Sequence, residues 1–174
     1  MLDGIENALL PIYKGLPPLS KNLKDWFVKY MPPLAVILGV LQLLAAWLLW
    51  HDGHSLINYL NTYVTPYDRL YGVAPTYHLS FFYWLAQIVV VIDAVIILAA
   101  YSKLTKKLKS GWNLLFLATV INVMYGLFRS LDGGTGGLVK FLYSLVVSFV
   151  VFYFLFQVRS SYIKVTPEAE KKAE

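Results

Sequence analysis

The chain has 174 residues, of which 58% are hydrophobic and only 14% charged, and its formal net charge is +5. Soluble domains carry about 25% charged residues, so this composition favours a membrane protein. Because the sequence contains no cysteine, disulfides, thiolate nucleophiles, iron–sulfur clusters and zinc–thiolate sites are excluded. The basic residues form no stripe suited to a soluble surface, and we expect no nucleic-acid partner.

Residues 1–32 are predicted to form an interfacial amphipathic leader with two short helices. Apolar residues recur at helical spacing over residues 2–12, and Ser20 is suited to cap the second helix. One face of that helix carries lysines, and the other carries three aromatic anchors: Trp26, Phe27 and Tyr30. This pattern favours the cytoplasmic membrane interface, and the alternative is a leader packed on a partner subunit. Pro32–Pro33 are expected to end the second helix and begin the first span.

Four apolar segments follow, each roughly long enough to cross the ~30 Å hydrocarbon core as a helix. They are residues 33–50, 79–101, 112–129 and 138–158. The second and third connections, a short basic loop at residues 102–110 and a tight turn at residues 132–137, require antiparallel neighbours. We therefore expect an all-α fold, an integral membrane bundle of four transmembrane helices with short interfacial amphipathic helices. The membrane domain is residues 33–158, and residues 159–174 form a charged cytoplasmic tail.

Lysine and arginine are sorted to alternate connections. The leader, the connection at residues 102–110 and the tail each hold four of these residues. The first connection holds one, and the third connection with its margins holds two. Since basic residues accumulate on the cytoplasmic side, both termini are predicted to lie in the cytoplasm. The compartment predicted is the cell (inner) membrane, with the chain as a multi-pass protein.

The three histidines all belong to the outer side in this topology. His51 and His54 follow the first span, and His78 precedes the second. If these two spans are neighbours, the three imidazoles could converge on a metal ion such as zinc. The favoured alternative is a simple turn, because Asp52–Gly53 between two polar residues is typical of one.

Asp93 is the strongest single candidate for a functional residue. A carboxylate in mid-span costs about 2.5–3.5 kcal/mol on the insertion scale and is a functional hypothesis by default. No Lys or Arg occupies the same depth, so we expect a neutral group that hydrogen-bonds near the midplane. The predicted partners in this polar core are Gln42, Asn122 and Ser148. The competing interpretation is a proton-carrying carboxyl group.

Two segments carry a family resemblance: Gly-Trp-Asn-Leu-Leu-Phe at 111–116 and Phe-Leu-Phe-Gln-Val-Arg-Ser-Ser-Tyr at 154–162. They resemble recurrent segments of small four-helix membrane proteins from bacteria with reduced genomes. The resemblance covers roughly residues 20–162 and implies the same four-span architecture. It carries over neither an activity nor site residues.

The leading functional prediction is a non-catalytic membrane protein, a small scaffold or accessory subunit. Its expected partners are membrane lipids and other membrane proteins or further copies of itself, with no cofactor. The sequence lacks a His-Glu-x-x-His motif and an intramembrane Ser–His pair, which argues against a membrane protease. The alternative is a small transporter or channel subunit, coupled to protons or cations through Asp93. A membrane enzyme is the third interpretation, and the outer histidines and aspartates are its only support.

Overall fold

A computed structural model describes residues 2–72, 76–131 and 137–163. Within these ranges the regular structure is entirely helical, which confirms the predicted class, and a π-helical segment at Leu60–Val64 joins two of the helices. Four helical stretches are long and apolar enough to cross a membrane, also as predicted. The α-helices are α1 Leu2–Lys14, α2 Lys21–Tyr59, α3 Thr65–Leu70, α4 Phe81–Thr105, α5 Lys109–Leu131, α6 Gly137–Val158 and α7 Ser160–Ile163. Residues 164–174 of the predicted tail and residues 132–136 of the predicted third connection lie outside the described residues.

Helix α2 is much longer than the predicted first span. Ser20 caps it as expected, since its hydroxyl accepts from Leu23 N at 3.4 Å. The predicted break at Pro32–Pro33 is wrong, because the helix runs through both prolines. Each proline removes one backbone donor, but ending the helix there would leave several more backbone groups without an intrahelical partner.

The predicted turn at Asp52–Gly53 is also wrong, because both residues belong to α2. Gly53 serves packing there instead of chain reversal. A Cβ atom on Gly53 would lie 2.5 Å from the Tyr83 hydroxyl, so the missing side chain lets α2 approach α4. From sequence alone, a glycine that forms a turn cannot be distinguished from a glycine that allows two helices to approach closely.

The four long helices pack in chain order. Helix α4 lies between α2 and α5, and α5 packs along α6. Helices α2 and α6 make only a small contact with each other. The bundle is therefore closed along three contacts and open along the fourth. The α4–α5 connection is a tight turn in which Lys107 adopts a left-handed φ of 53°. We call the end of the bundle at this turn the basic end.

Aromatic side chains form the core near the basic end. Trp112 is buried, stacks on Phe116 with ring centroids 5.2 Å apart, and donates Nε1–H to the Leu155 carbonyl at 2.8 Å. Phe152 and Phe156 complete the cluster from α6. Each such aromatic pair contributes about 0.5–1.5 kcal/mol beyond its burial, so this end of the α5–α6 pair is firmly packed.

The leader helix α1 packs against α6. Tyr13 stacks on Phe156 with centroids 4.9 Å apart and an angle of 10°. Glu6, only 3% exposed, pairs with Arg159 directly after α6. The segment between α1 and α2 is held as well, because Tyr153 donates its hydroxyl to the Pro17 carbonyl at 2.8 Å. The amphipathic pattern of α1 thus serves a contact within the chain.

The glycine at the start of α5 provides a test of this packing. A Cβ atom on Gly111 would lie 2.7 Å from the Leu104 backbone nitrogen and 2.8 Å from the Lys103 carbonyl carbon. Backbone atoms cannot move aside, so Gly111→Ala should reduce the free energy of unfolding by about 1–3 kcal/mol, as overpacking does. The measurement is denaturant titration of the full chain in mixed detergent micelles.

Gly4→Ala is the matched control, because nothing lies within 4 Å of the position of its Cβ atom. Alanine favours a helix over glycine by up to about 1 kcal/mol, so this variant should be neutral or slightly more stable. Equal stability of both variants would contradict the described α4–α5 turn.

Candidate functional site

A polar layer crosses the bundle near the middle of its apolar helices, and Asp93 of α4 lies at its centre. The Asp93 side chain is 1% exposed. Its Oδ2 accepts hydrogen bonds from Gln42 Nε2 at 2.6 Å and Asn122 Nδ2 at 2.9 Å. One carboxyl oxygen therefore joins α2, α4 and α5, while Oδ1 is buried without a hydrogen-bond partner.

The layer continues into α6 through Ser144. The Ser144 hydroxyl donates to the Asn122 main-chain carbonyl at 2.9 Å. Gly126 makes this contact possible, because a Cβ atom there would lie 2.5 Å from both Cβ and Oγ of Ser144. The residue of α6 predicted for this polar core is Ser148. Ser148 is buried one turn further along α6 but is not a hydrogen-bond partner of Asp93.

Two further hydrogen bonds fasten α4 to α2 on the side of the layer away from the basic end. Gln87 Nε2 donates to the Ala46 carbonyl at 2.8 Å, and the Tyr83 hydroxyl donates to the Leu49 carbonyl at 2.7 Å. Their acceptors are main-chain groups of a helix, which no sequence pattern marks. Together with the bond to Asp93, they join α2 and α4 at three successive levels.

A groove follows the open side of the bundle beside the polar layer. Its volume is about 350 Å³, and its lining is drawn mainly from α2, α5 and α6. A second cavity of about 480 Å³ lies between α5 and α6 and shares Asn122 and Ser148 with the first. The groove is largely apolar, but Gln42 and Asn122 reach its wall. The partners of Asp93 therefore border a space that opens sideways from the bundle.

The histidines near the other end of the bundle have separate environments. His54 Nδ1–H donates to the Trp50 carbonyl at 2.8 Å, and its ring packs on Trp50 and Trp84. His51 Nδ1 lies 3.4 Å from Asp52 Oδ1, and both His51 and His78 are exposed. In the described part of the chain, no group of three or more His, Asp or Glu side chains is arranged to hold a metal ion. The geometry gives the predicted zinc site no support.

The three predicted interface anchors do not share one environment. Trp26 and Tyr30 are exposed, and their ring centroids are 4.9 Å apart. The Lys29 ammonium nitrogen lies over the Tyr30 ring, 5.2 Å from its centroid. Phe27 packs on Phe154 of the bundle, with ring centroids 4.5 Å apart. Only Trp26 and Tyr30 are thus available to a surrounding membrane surface.

No protein-family model, no curated protein and no solved structure matches this chain. The functional argument therefore depends on the geometry of the polar layer, the groove and the basic end.

A double-mutant cycle on Gln42 and Asp93 tests the polar layer. Gln42→Leu, Asp93→Leu and the double variant should give a coupling energy of about 0.6 kcal/mol, and at most about 1.7 kcal/mol, the range for hydrogen bonds between membrane helices. The measurement is the free energy of unfolding in mixed micelles.

The control cycle combines Gln42→Leu with Trp112→Phe, which removes the bond to the Leu155 carbonyl. These two sites share no hydrogen-bond partner, so their effects should add. Additivity in the first cycle as well would show that Gln42 and Asp93 do not interact.

Proposed function

We propose that this chain is a non-catalytic integral membrane protein, a small scaffold or accessory subunit that binds lipid or other membrane proteins. The observation that supports this most directly is the use of the central polar groups. Gln42, Asp93, Asn122 and Ser144 engage one another or a neighbouring main chain across four helices. Side chains used in this way hold helices in register.

The open side of the bundle supplies the binding capacity in this proposal. Helix α2 is fastened to α4, and its other faces carry large exposed apolar side chains such as Leu41, Leu44 and Trp47. The adjoining groove has a volume of about 350 Å³ and a largely apolar lining, which suits a lipid chain or an apolar helix face. A surface of this kind is stable only in hydrocarbon or against a partner.

The topology proposed is that of four spans with both ends of the chain on the cytoplasmic side. The basic end combines Lys24, Lys106 and Arg159 with the tight α4–α5 turn. This charge distribution is the one that orients membrane proteins.

Because the chain contains no cysteine, single cysteines can report the topology directly. Asn58→Cys should react with a membrane-impermeant maleimide in intact cells, because α2 continues beyond its apolar part there. Lys107→Cys, in the α4–α5 turn, should react only after the cells are permeabilised. Labelling of Lys107→Cys in intact cells would reverse the orientation.

A small proton- or cation-coupled transporter is the second candidate, and one observation favours it. Asp93 Oδ1 is buried without a hydrogen-bond partner, and both partners of the other oxygen line the groove. A buried acid beside a lateral opening is a reasonable site for proton uptake and release.

Asp93→Asn separates the two candidates. Asparagine keeps an oxygen that can accept from both Gln42 and Asn122, and it removes the cost of a potential charge, so thermal stability should hold or rise. Asp93→Leu removes both bonds and should lose about 1 kcal/mol. On the scaffold proposal, proteoliposomes with wild-type protein or Asp93→Asn show the same background proton and cation flux.

The contradicting result is a flux that wild-type protein supports and that a fully folded Asp93→Asn variant lacks. The folded state is checked by circular dichroism and thermal unfolding in the same preparation. Gln87→Leu is a suitable control, because it removes a partly buried polar side chain that bonds α4 to α2 and leaves the carboxyl group in place.

A further inference from the structure

A third cavity, of about 350 Å³, lies at the basic end, where the leader, the start of α2 and the end of α6 meet. We call it the basic notch. Three separate parts of the chain each contribute one cation: Lys14 from the last turn of α1, Lys24 from the first turn of α2, and Arg159 directly after α6. The remaining wall is mostly apolar and includes Leu10, Leu16 and Phe156.

The walls of the notch are held by contacts within the chain. Gln157 bridges to the linker, since its Oε1 accepts from Leu19 N at 3.2 Å and its Nε2 donates to the Pro17 carbonyl at 3.5 Å. Tyr13, which lines the notch, is stacked on Phe156. The three cations are thus brought together by tertiary structure, so their proximity is more than a run of basic residues in the sequence.

The charges of the notch are only partly compensated. Glu6 pairs with Arg159 and does not line the cavity. Among the described residues, neither Lys14 nor Lys24 forms an ion pair, and no Asp or Glu lines the notch. An anion placed there would meet two uncompensated ammonium groups and the remaining donors of a guanidinium group.

We propose that the basic notch binds the headgroup phosphate of an anionic membrane lipid. The apolar wall receives the glycerol and the first methylene groups of the lipid. Basic pockets between helices at the cytoplasmic membrane surface bind anionic headgroups in this way. The inference rests on the proposed function, because it requires that the chain spans a bilayer.

The position of the notch favours a lipid over a free phosphate ion. Arg159 follows immediately after the apolar helix α6, which places the notch at the level where headgroups lie beside a spanning helix. Inorganic phosphate would use the cations alone and would leave the apolar wall unused. A bound lipid would also connect α1, α2 and α6 and so hold the leader against the bundle.

The experiment measures thermal unfolding of the full chain in zwitterionic micelles. Short-chain phosphatidylglycerol, short-chain phosphatidylcholine and inorganic phosphate are titrated separately. A ligand that binds the folded state raises the unfolding temperature in proportion to ln(1 + [L]/Kd), so each titration gives an apparent Kd. Phosphatidylglycerol should bind wild-type protein with saturation and at least about tenfold more tightly than the other two ligands.

The test variant is Lys14→Gln/Lys24→Gln, and its matched control is Lys21→Gln/Lys107→Gln. Both remove two positive charges from exposed or half-buried lysines near the basic end, but neither control residue lines the notch. The test variant should weaken phosphatidylglycerol binding about tenfold or more, whereas the control should stay within about twofold of wild type. Circular dichroism without added lipid checks that both variants are folded.

Three results would contradict the proposal that the basic notch binds an anionic lipid headgroup. Equal weakening in the control variant would show general attraction of a basic surface. Equal affinity for phosphatidylcholine would show that the anion is not recognised, and equal affinity for inorganic phosphate would show a free-anion site. Flotation with phosphatidylcholine vesicles distinguishes a failure of lipid binding at the notch from a failure of the proposed function. Protein that fails to float contradicts the proposal of a membrane protein. Protein that floats but shows no lipid selectivity contradicts only the proposal for the notch.

Discussion

The structure depends on the requirement that polar groups in an apolar bundle find partners within the protein. Asp93 is the most demanding of these groups, because the cost of burying it falls only when donors surround it. Gln42 and Asn122 supply two donors from the helices on either side. The order of packing, with α4 between α2 and α5, is the arrangement that gives Oδ2 of this carboxyl group a donor from both flanks, whereas Oδ1 stays buried without a partner.

The basic end solves a different problem, since polar and charged groups there can meet water. The chain nevertheless buries Glu6 against Arg159, two residues separated by 153 positions in sequence. A buried ion pair offers little net stability but strongly disfavours alternative arrangements that separate the charges. We infer that this pair fixes where α1 docks, while the stacking of Tyr13 on α6 contributes most of the attraction. The burial that accompanies this docking also raises the pKa of the Tyr13 hydroxyl.

The features that sequence analysis predicted are those carried by local pattern. Apolar length identifies the four long helices, and a polar residue such as Asp93 is conspicuous in an apolar span. The features that it missed depend on surroundings. Whether Pro32 breaks a helix, or Gly53 a turn, depends on the cost of exposing backbone and on the neighbouring Tyr83. The difference between Ser144 and Ser148 is one turn on the same face of α6, and the close approach at Gly126 determines which serine bonds to Asn122.

The two hydrogen bonds to Asp93 Oδ2 also explain why the bundle has an open side. Each carboxyl partner draws its helix toward α4, so α2 is held on one flank of α4 and α5 on the other. Helix α6 then attaches through α5 and Ser144, one helix further from α2. A four-helix arrangement with one central acceptor therefore leaves a gap between its first and last members, and the groove beside Gln42 and Asn122 is that gap. Its apolar walls mean that hydrocarbon, from lipid or from another helix, is the material suited to fill it.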